Sequence, residues 1–161
     1  MSTRVLTAMQ DRTVLVTGAT GFIGSTLCAR LRAQGFSVRA LARDPTQASA
    51  LQAQGVELIQ GDLGNPTALG NLFDAADTVI HCAGTVRGNS AEDFAPTNIQ
   101  GTRAVISAMA SKAPTARLIH LSSLAAREPD LSWYAASKHA GEQLVEASNL
   151  NWTIVRPPAV Y

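Results

Sequence analysis

This sequence has no excess of charge of either sign. Thirteen Lys and Arg stand against twelve Asp and Glu, a formal balance of +1 at neutral pH with no basic or acidic block. A nucleic-acid surface needs a clustered positive footprint, so polynucleotides are not expected partners. Cysteine is scarce too. Cys28 and Cys82 form neither a CxxC nor a Cys/His metal spacing, so neither a disulfide framework nor a metal site is expected, and both read as reduced, buried thiols. Long apolar runs are missing. Met1–Gln10 lacks the apolar stretch of a signal peptide and no segment reaches the length of a membrane span, so a cytoplasmic protein without a membrane partner is expected. Internal repeats, low-complexity segments and linkers are lacking as well. What remains is 161 residues, 46% of them hydrophobic, enough for one domain with a sizeable core.

Within that domain, short β-branched runs alternate with longer helical patterns, the order that builds βαβ units and a parallel sheet. Strands are expected at Thr13–Thr17, Ser37–Ala42, Val56–Gln60, Thr78–Cys82, Arg117–Ser122 and Trp152–Arg156, and helices at Phe22–Ala33, Thr46–Ala53, Thr67–Phe73, Glu92–Lys112 and Ser132–Ala147. Right-handed crossovers make this a Rossmann-type, doubly wound α/β fold of about six parallel strands with helices on both faces. Residues 1–12 read as a tail and residues 13–161 as the domain. Asp44-Pro45 and Asn65-Pro66 each resemble a helix cap followed by a first-turn proline. Pro96 interrupts the fourth helical pattern and blurs its start.

The most informative stretch is Thr17-Gly18-Ala19-Thr20-Gly21-Phe22-Ile23-Gly24, which follows an apolar strand and opens an amphipathic helix. Strand, glycine turn and helix are the context in which such glycines cradle a dinucleotide pyrophosphate. Gly18 permits a sharp turn, Gly21 a close backbone approach to phosphate, and Gly24 tight packing of helix on strand. The helix start supplies unpaired N–H groups and partial positive charge. Gly18, Thr20, Gly21, Phe22, Ile23 and Gly24 are therefore candidate cofactor-binding residues.

A second constellation is Tyr134-Ala135-Ala136-Ser137-Lys138. Helix positions four apart share a face, and a cation beside a phenol favours the phenolate, which readies Tyr134 for proton transfer. A solvated Tyr and Lys on a surface helix is the bland alternative. Ser122-Ser123 closes the fifth expected strand at the carboxyl edge, where open α/β sheets place ligands; a hydroxyl there could bond a substrate oxygen or simply form a turn. Cys82, Ala83 and Gly84 end the fourth strand with small residues that leave room for a flat ring. Asn98 offers an amide able to organise a water or a backbone carbonyl. His81, His120 and His139 lack ligand partners at metal spacing and read as packing or surface residues.

Together these residues resemble the short-chain dehydrogenase/reductase superfamily, in particular its extended, epimerase/dehydratase-like branch. The resemblance runs from Thr13 to Tyr161 and rests most on Thr17–Gly24, the Tyr134/Lys138 pair and the closing Arg156-Pro157-Pro158-Ala159-Val160-Tyr161. It also takes in Asp62-Leu63, like the family's adenine-contacting acid, and Asn98-Ile99-Gln100-Gly101-Thr102, like its asparagine-glycine-threonine segment. The resemblance implies that Tyr134 is the general acid/base and that Lys138 binds the nicotinamide ribose. It implies that Ser123 holds the substrate oxygen, with Ser122 as second choice, and that Asn98 completes the set. Asp62, Leu63, Cys82, Ala83, Gly84 and Pro157 join the cofactor contacts. The implied function is an NAD(P)-dependent oxidoreductase or epimerase/dehydratase acting on a small carbonyl, alcohol or sugar-nucleotide substrate. A non-catalytic NAD(P)-binding regulatory or structural subunit is the alternative, and a homodimer through the Asn98 and Tyr134 helices is possible.

Cofactor choice turns on the end of the second strand, where an acid would bond the ribose 2′-OH of NAD. The sequence reads Ala42-Arg43-Asp44 there. Arg43 is suited to the 2′-phosphate of NADP, whereas Asp44 is explained equally by a ribose contact or by helix capping. NADP is therefore favoured over NAD. Extended members of the superfamily carry a further C-terminal region that forms most of the substrate pocket. The expectation is that this region is missing here and that the chain alone is inactive and prone to associate.

Overall fold

The computed structural model describes residues 12–158. The tail, apart from Arg12, and Ala159, Val160 and Tyr161 of the closing run lie outside the described residues. Strands β1 (Thr13–Thr17), β2 (Ser37–Ala42), β3 (Glu57–Gln60), β4 (Thr78–His81), β5 (Arg117–Leu121) and β6 (Asn151–Val155) form one parallel sheet in the order β3-β2-β1-β4-β5-β6. The order reverses between β1 and β4. In a doubly wound sheet this switch point opens a crevice at the carboxyl edge.

Side-chain alternation along β1 explains both cores. Val14 and Val16 point to one face and join Cys28, Val38, Ala40, Leu51 and Val56, beneath helices α1 (Phe22–Ala33) and α2 (Ser49–Ala53). Leu15 points to the other face and joins Leu69, Leu72, Phe73, Val79, Val105, Met109, Leu118 and Val145. These come from α3 (Pro66–Phe73), α5 (Thr102–Lys112), α6 (Trp133–Glu146), β4 and β5. Helices thus cover both faces, and strands buried on both sides need the near-continuous apolar runs that the sequence contains.

β1, α1 and β2 have the bounds expected from sequence, β3, β4 and β5 are one residue shorter at one end, and β6 is shifted one residue toward the N-terminus. Two helical expectations need correction. Thr46–Ala53 is not one helix: Asp44 caps a tight 3₁₀ turn, Pro45–Ala48, which hands over to α2. Glu92–Lys112 is not continuous either. A short helix α4 (Ala91–Phe94) widens into a π-helical stretch, Ala95–Gly101, before α5 begins. Pro96 has no N–H to return to the preceding turn, so the regular ladder cannot pass through it. No described helix is long and apolar enough to cross a membrane.

Candidate active site

Three glycines shape the turn after β1, each for a definite reason. Gly18 has φ +70°, and a Cβ there would lie 2.6 Å from the Ala83 backbone nitrogen at the end of β4. The residue must therefore be small both for its own conformation and for its neighbour's. A Cβ on Gly24 would strike the Gly18 carbonyl. The Gly18 carbonyl accepts the Gly21 N–H at 3.0 Å, which closes the turn. α1 then starts without a side-chain cap and without an acid in its first turn. An uncapped helix start behind a glycine turn is a ready anion site.

A cleft of about 930 Å³ opens over this turn. Gly18, Thr20 and Gly21 form its floor. Arg43 stands at the end of β2, Asp62 and Leu63 follow β3, and Cys82, Ala83 and Gly84 follow β4. These sequence-predicted cofactor residues are brought together. Others are not at the cleft wall: Phe22 points outward at 67% exposure, and Ile23 and Gly24 stand behind the turn. Tyr134, Lys138 and Pro157 lie beyond the wall.

The acids near the cleft are engaged locally. Asp62 accepts the Gly64 N–H at 2.8 Å. Asp44 accepts from the Thr46 N–H at 3.0 Å, the Thr46 hydroxyl at 2.6 Å and the Gln47 amide at 3.0 Å. The Thr46 bonds lead in holding its carboxyl below the ordinary range. Of the two readings of Asp44, the structure realises the cap. Arg43 is exposed and makes no ion pair among the described residues.

Lys138 is 5% exposed, and its ammonium donates to the Leu121 carbonyl at 2.8 Å. Burial pulls its pKa down to about 8, although Glu142 and Cys82 push the other way. A Cβ on Gly84 would sit 3.8 Å from this amine, so the lysine lies directly beneath a residue of the cleft wall. Tyr134 stands one helical turn before it on α6. The tyrosine is half-buried, with its ring tilted against Phe94 at 6.1 Å between centroids.

The Asn98 amide organises main chain. Its side-chain oxygen accepts the Thr85 N–H at 2.8 Å, and its NH₂ donates to the Thr85 carbonyl at 2.9 Å and the Ser137 hydroxyl at 2.8 Å. It ties the loop after β4 to α6. Ser123 accepts the Ala125 N–H at 3.2 Å and so caps the turn Leu124–Arg127. Ser122 is buried and its hydroxyl forms no well-aligned hydrogen bond, although it is close enough to Glu142 to favour the carboxylate. Cys82 is half-buried, and burial pushes its thiol up to about 11.

Sequence reasoning missed a buried polar chain. The Thr102 hydroxyl donates to the Asn98 carbonyl at 2.9 Å, so it accepts from His81 Nε2 at 3.0 Å. His81 Nδ1 then accepts from the Thr17 hydroxyl at 2.7 Å. The Thr17 oxygen in turn faces the Ala83 N–H at 3.4 Å. This direction follows from the donors available, and it requires a neutral ring. Burial, with the fields of His120 and Lys138, holds the His81 pKa well below its ordinary value. His120 packs 5.3 Å away with neither ring nitrogen partnered, and burial draws its pKa to about 4. His139 holds the Ala126 carbonyl at 3.2 Å, a structural contact. The pair Glu142–Arg156 was missed as well; its one signal in the sequence is a glutamate four positions after Lys138.

A family model described as NAD(P)H-binding matches residues 18–161. The chain belongs to that family. The match begins at Gly18, the first glycine of the turn, and takes in the cleft and both constellations. Over 149 residues the family member is 47% identical to the ceramide reductase of Caulobacter vibrioides, covering 92% of this chain and 46% of that protein. It is 34% identical to a (4-alkanoyl-5-oxo-2,5-dihydrofuran-3-yl)methyl phosphate reductase of Streptomyces griseus, covering 89% and 46%. The chain spans about half the length of these curated relatives. Its fold is also that of a short-chain dehydrogenase/reductase from Mycobacterium ulcerans, with TM-score 0.81, 24% identity and coverage of 95% and 69%. A superfamily protein from Agrobacterium tumefaciens solved with NAD gives TM-score 0.76 at 23% identity, covering 90% and 48%. The NAD(P)-binding domain read from the residues is thereby shown, and the solved structures share its fold.

Proposed function

We propose that this chain is the cofactor-binding and proton-transferring part of an NADP(H)-dependent reductase that converts a ketone or aldehyde to an alcohol. The observation that carries the reading is the place of Lys138, buried beneath Gly84 of the cleft wall and one helical turn from Tyr134. It joins the glycine-turn cleft to the proton pair. The residues fit a dinucleotide: the cradle at Gly18 and Gly24 admits no side chain, and the uncapped start of α1 faces the cleft floor. Gly18, Thr20 and Gly21 would hold the pyrophosphate, Asp62 and Leu63 the adenine side, and Arg43 the 2′-phosphate. When bound, the reduced nicotinamide supplies the hydride. Tyr134 supplies the proton to the carbonyl oxygen, and Lys138 orients the ribose and favours the phenolate left behind. Ser123 or Ser122 would hold the substrate oxygen.

Apolar residues flank this centre. Val86, Leu124, Leu131 and Trp133 are exposed at 67%, 46%, 79% and 55%, on the loop after β4, the turns after β5 and the start of α6. Exposed side chains of this kind beside Tyr134 suit a lipophilic substrate. The relative from Caulobacter vibrioides is named for ceramide, which fits that reading.

The test uses the complete protein. Tyr134→Phe should lower the rate of NADPH oxidation with a long-chain ketone by at least about a hundredfold while NADPH binding, read by fluorescence, stays within twofold. Unchanged turnover would remove Tyr134 from the chemistry and favour a binding module.

A further inference from the structure

Behind Lys138 stands a carboxylate that no role above uses. Glu142 lies one helical turn further along α6 on the same face, at 2% exposure. Arg156, just past β6, donates from Nε and Nη2 to its two carboxylate oxygens at 2.8 and 2.7 Å. The strand exit is thereby clasped to the helix that carries Tyr134 and Lys138. The next residue continues the connection: the Pro157 carbonyl accepts the Leu124 N–H at 3.0 Å, beside Ser123. One rung earlier, the Val155 carbonyl accepts the Ser122 N–H at 2.8 Å.

A glutamate this buried is costly to charge unless it is paired. A bidentate guanidinium settles the charge, and it also fixes where the carboxylate points. The groups around Lys138 come from every element packed on it. His81 and Cys82 face it from the end of β4 and His120 from β5, while Tyr134 and Glu142 lie on its own helix. Asn98 and Thr102 on the π-helical stretch and the start of α5 are neutral, and Arg156 is paired with Glu142. Burial keeps both histidines uncharged and pushes the Cys82 thiol up to about 11. Glu142 is therefore the one carboxylate in this set.

We infer that Glu142 is a positioning residue for the proton pair: aimed by Arg156, its carboxylate holds Lys138 in the charged form that the ribose and the phenol require. This inference rests on the reading of Lys138 given above. It differs from a plain structural ion pair in sign. Neutralising Glu142 removes an anion near Lys138 and lowers the lysine's proton affinity. Neutralising Arg156 unmasks that anion and raises it.

Lys112 and Lys138 are the lysines of this sequence, so nitrogen-15 lysine labelling of the chain gives two side-chain signals, with exposed Lys112 as internal control. In Glu142→Gln, the Lys138 titration midpoint should fall by about one pH unit, a tenfold loss of proton affinity, while Lys112 stays in place. In Arg156→Met, the Lys138 midpoint should rise. Shifts in the same direction for both variants, or no shift in either, would overturn the inference. Should Glu142→Gln fail to fold, Arg156→Met decides alone: a rise supports the inference, and a fall or no change overturns it. These titrations are run without cofactor. Adding saturating NADPH to the unsubstituted chain tests the underlying reading separately. A Lys138 signal that NADPH leaves unmoved would end its ribose role without touching the result for Glu142.

Discussion

The two sides of the cleft are built by opposite means. On the β1–β3 side the shape comes from backbone: Gly18 and Gly24 let the turn fold onto the end of β4 and the start of α1, and the first helical N–H groups stay uncapped. On the β4–β6 side the shape comes from buried side chains. His81, Thr102, Asn98, Ser137, Lys138, Glu142, His120 and Ser122 are all nearly or fully buried, most of them bonded to one another, to main chain or, for His81, to buried Thr17 at the end of β1. A backbone site tolerates change in side chains but none in chain direction. A side-chain site is the reverse, since each member removed leaves a partner unsatisfied in a poorly solvated interior. The first suits a ligand that is held; the second suits one that reacts.

The sharpest way to break the backbone side is Gly18→Ala. The new Cβ meets Ala83 main chain at 2.6 Å in a conformation with φ +70°, so neither atom can swing away. Strain and overpacking together should cost about 4 kcal/mol, visible as a lower urea midpoint with loss of NADPH binding. A variant as stable as the parent would show that the turn is not held in this form.

The side-chain side should break with acid instead. His81 and His120 are neutral in the folded chain, with pKa values below the ordinary one and His120 at about 4. In the unfolded chain both titrate near 6.5. Below 6.5 the unfolded state binds more protons, so stability is complete above about pH 6.5 and falls as pH drops, the His120 share levelling off below about pH 4. The loss attributable to His120 is on the order of 3 kcal/mol. Urea unfolding at pH 7.5 and 4.5 should show it, and His120→Leu should narrow the gap. An equal pH dependence in that variant would mean that His120 is not what acid attacks.

The same contrast governs what the sequence reveals. The glycine turn is legible because φ > 0 and close approach each demand one residue type, and β1, α1 and β2 were placed to the residue. The polar interior is far less legible. A threonine closing a strand or a glutamate on a helix reads as solvated when its neighbours are unknown, and only folding brings Thr17 to His81 or Glu142 to Arg156. Asn98 shows the intermediate case. Its residue type marks it for attention, but its three hydrogen bonds to Thr85 and Ser137 exist because Pro96 forces a π-helical stretch there. Asn98→Ala should cost about 2 kcal/mol by leaving the Thr85 groups unpartnered. It should also loosen the loop after β4, read as faster amide exchange at Thr85. Unchanged exchange would show that the loop holds itself.

The smallest effect sharpens the comparison most, because Arg43 and Asp44 are neighbours assigned to different duties. Arg43 is exposed at the cleft's edge, where a phosphate contact is screened, so Arg43→Ala should weaken NADPH about tenfold and leave NADH unchanged. The loss should shrink as salt is raised. Asp44 accepts three hydrogen bonds from Thr46 and Gln47, so Asp44→Ala should cost about 1 kcal/mol of stability as a lost cap and weaken both cofactors alike. A ribose ligand behaves otherwise, because its removal weakens NADH selectively and spares stability. Paired titrations of the two variants with both cofactors therefore separate a side chain that reads the ligand from one that only ends a strand cleanly. An NADH-selective loss in Asp44→Ala would move the cofactor preference from NADP to NAD.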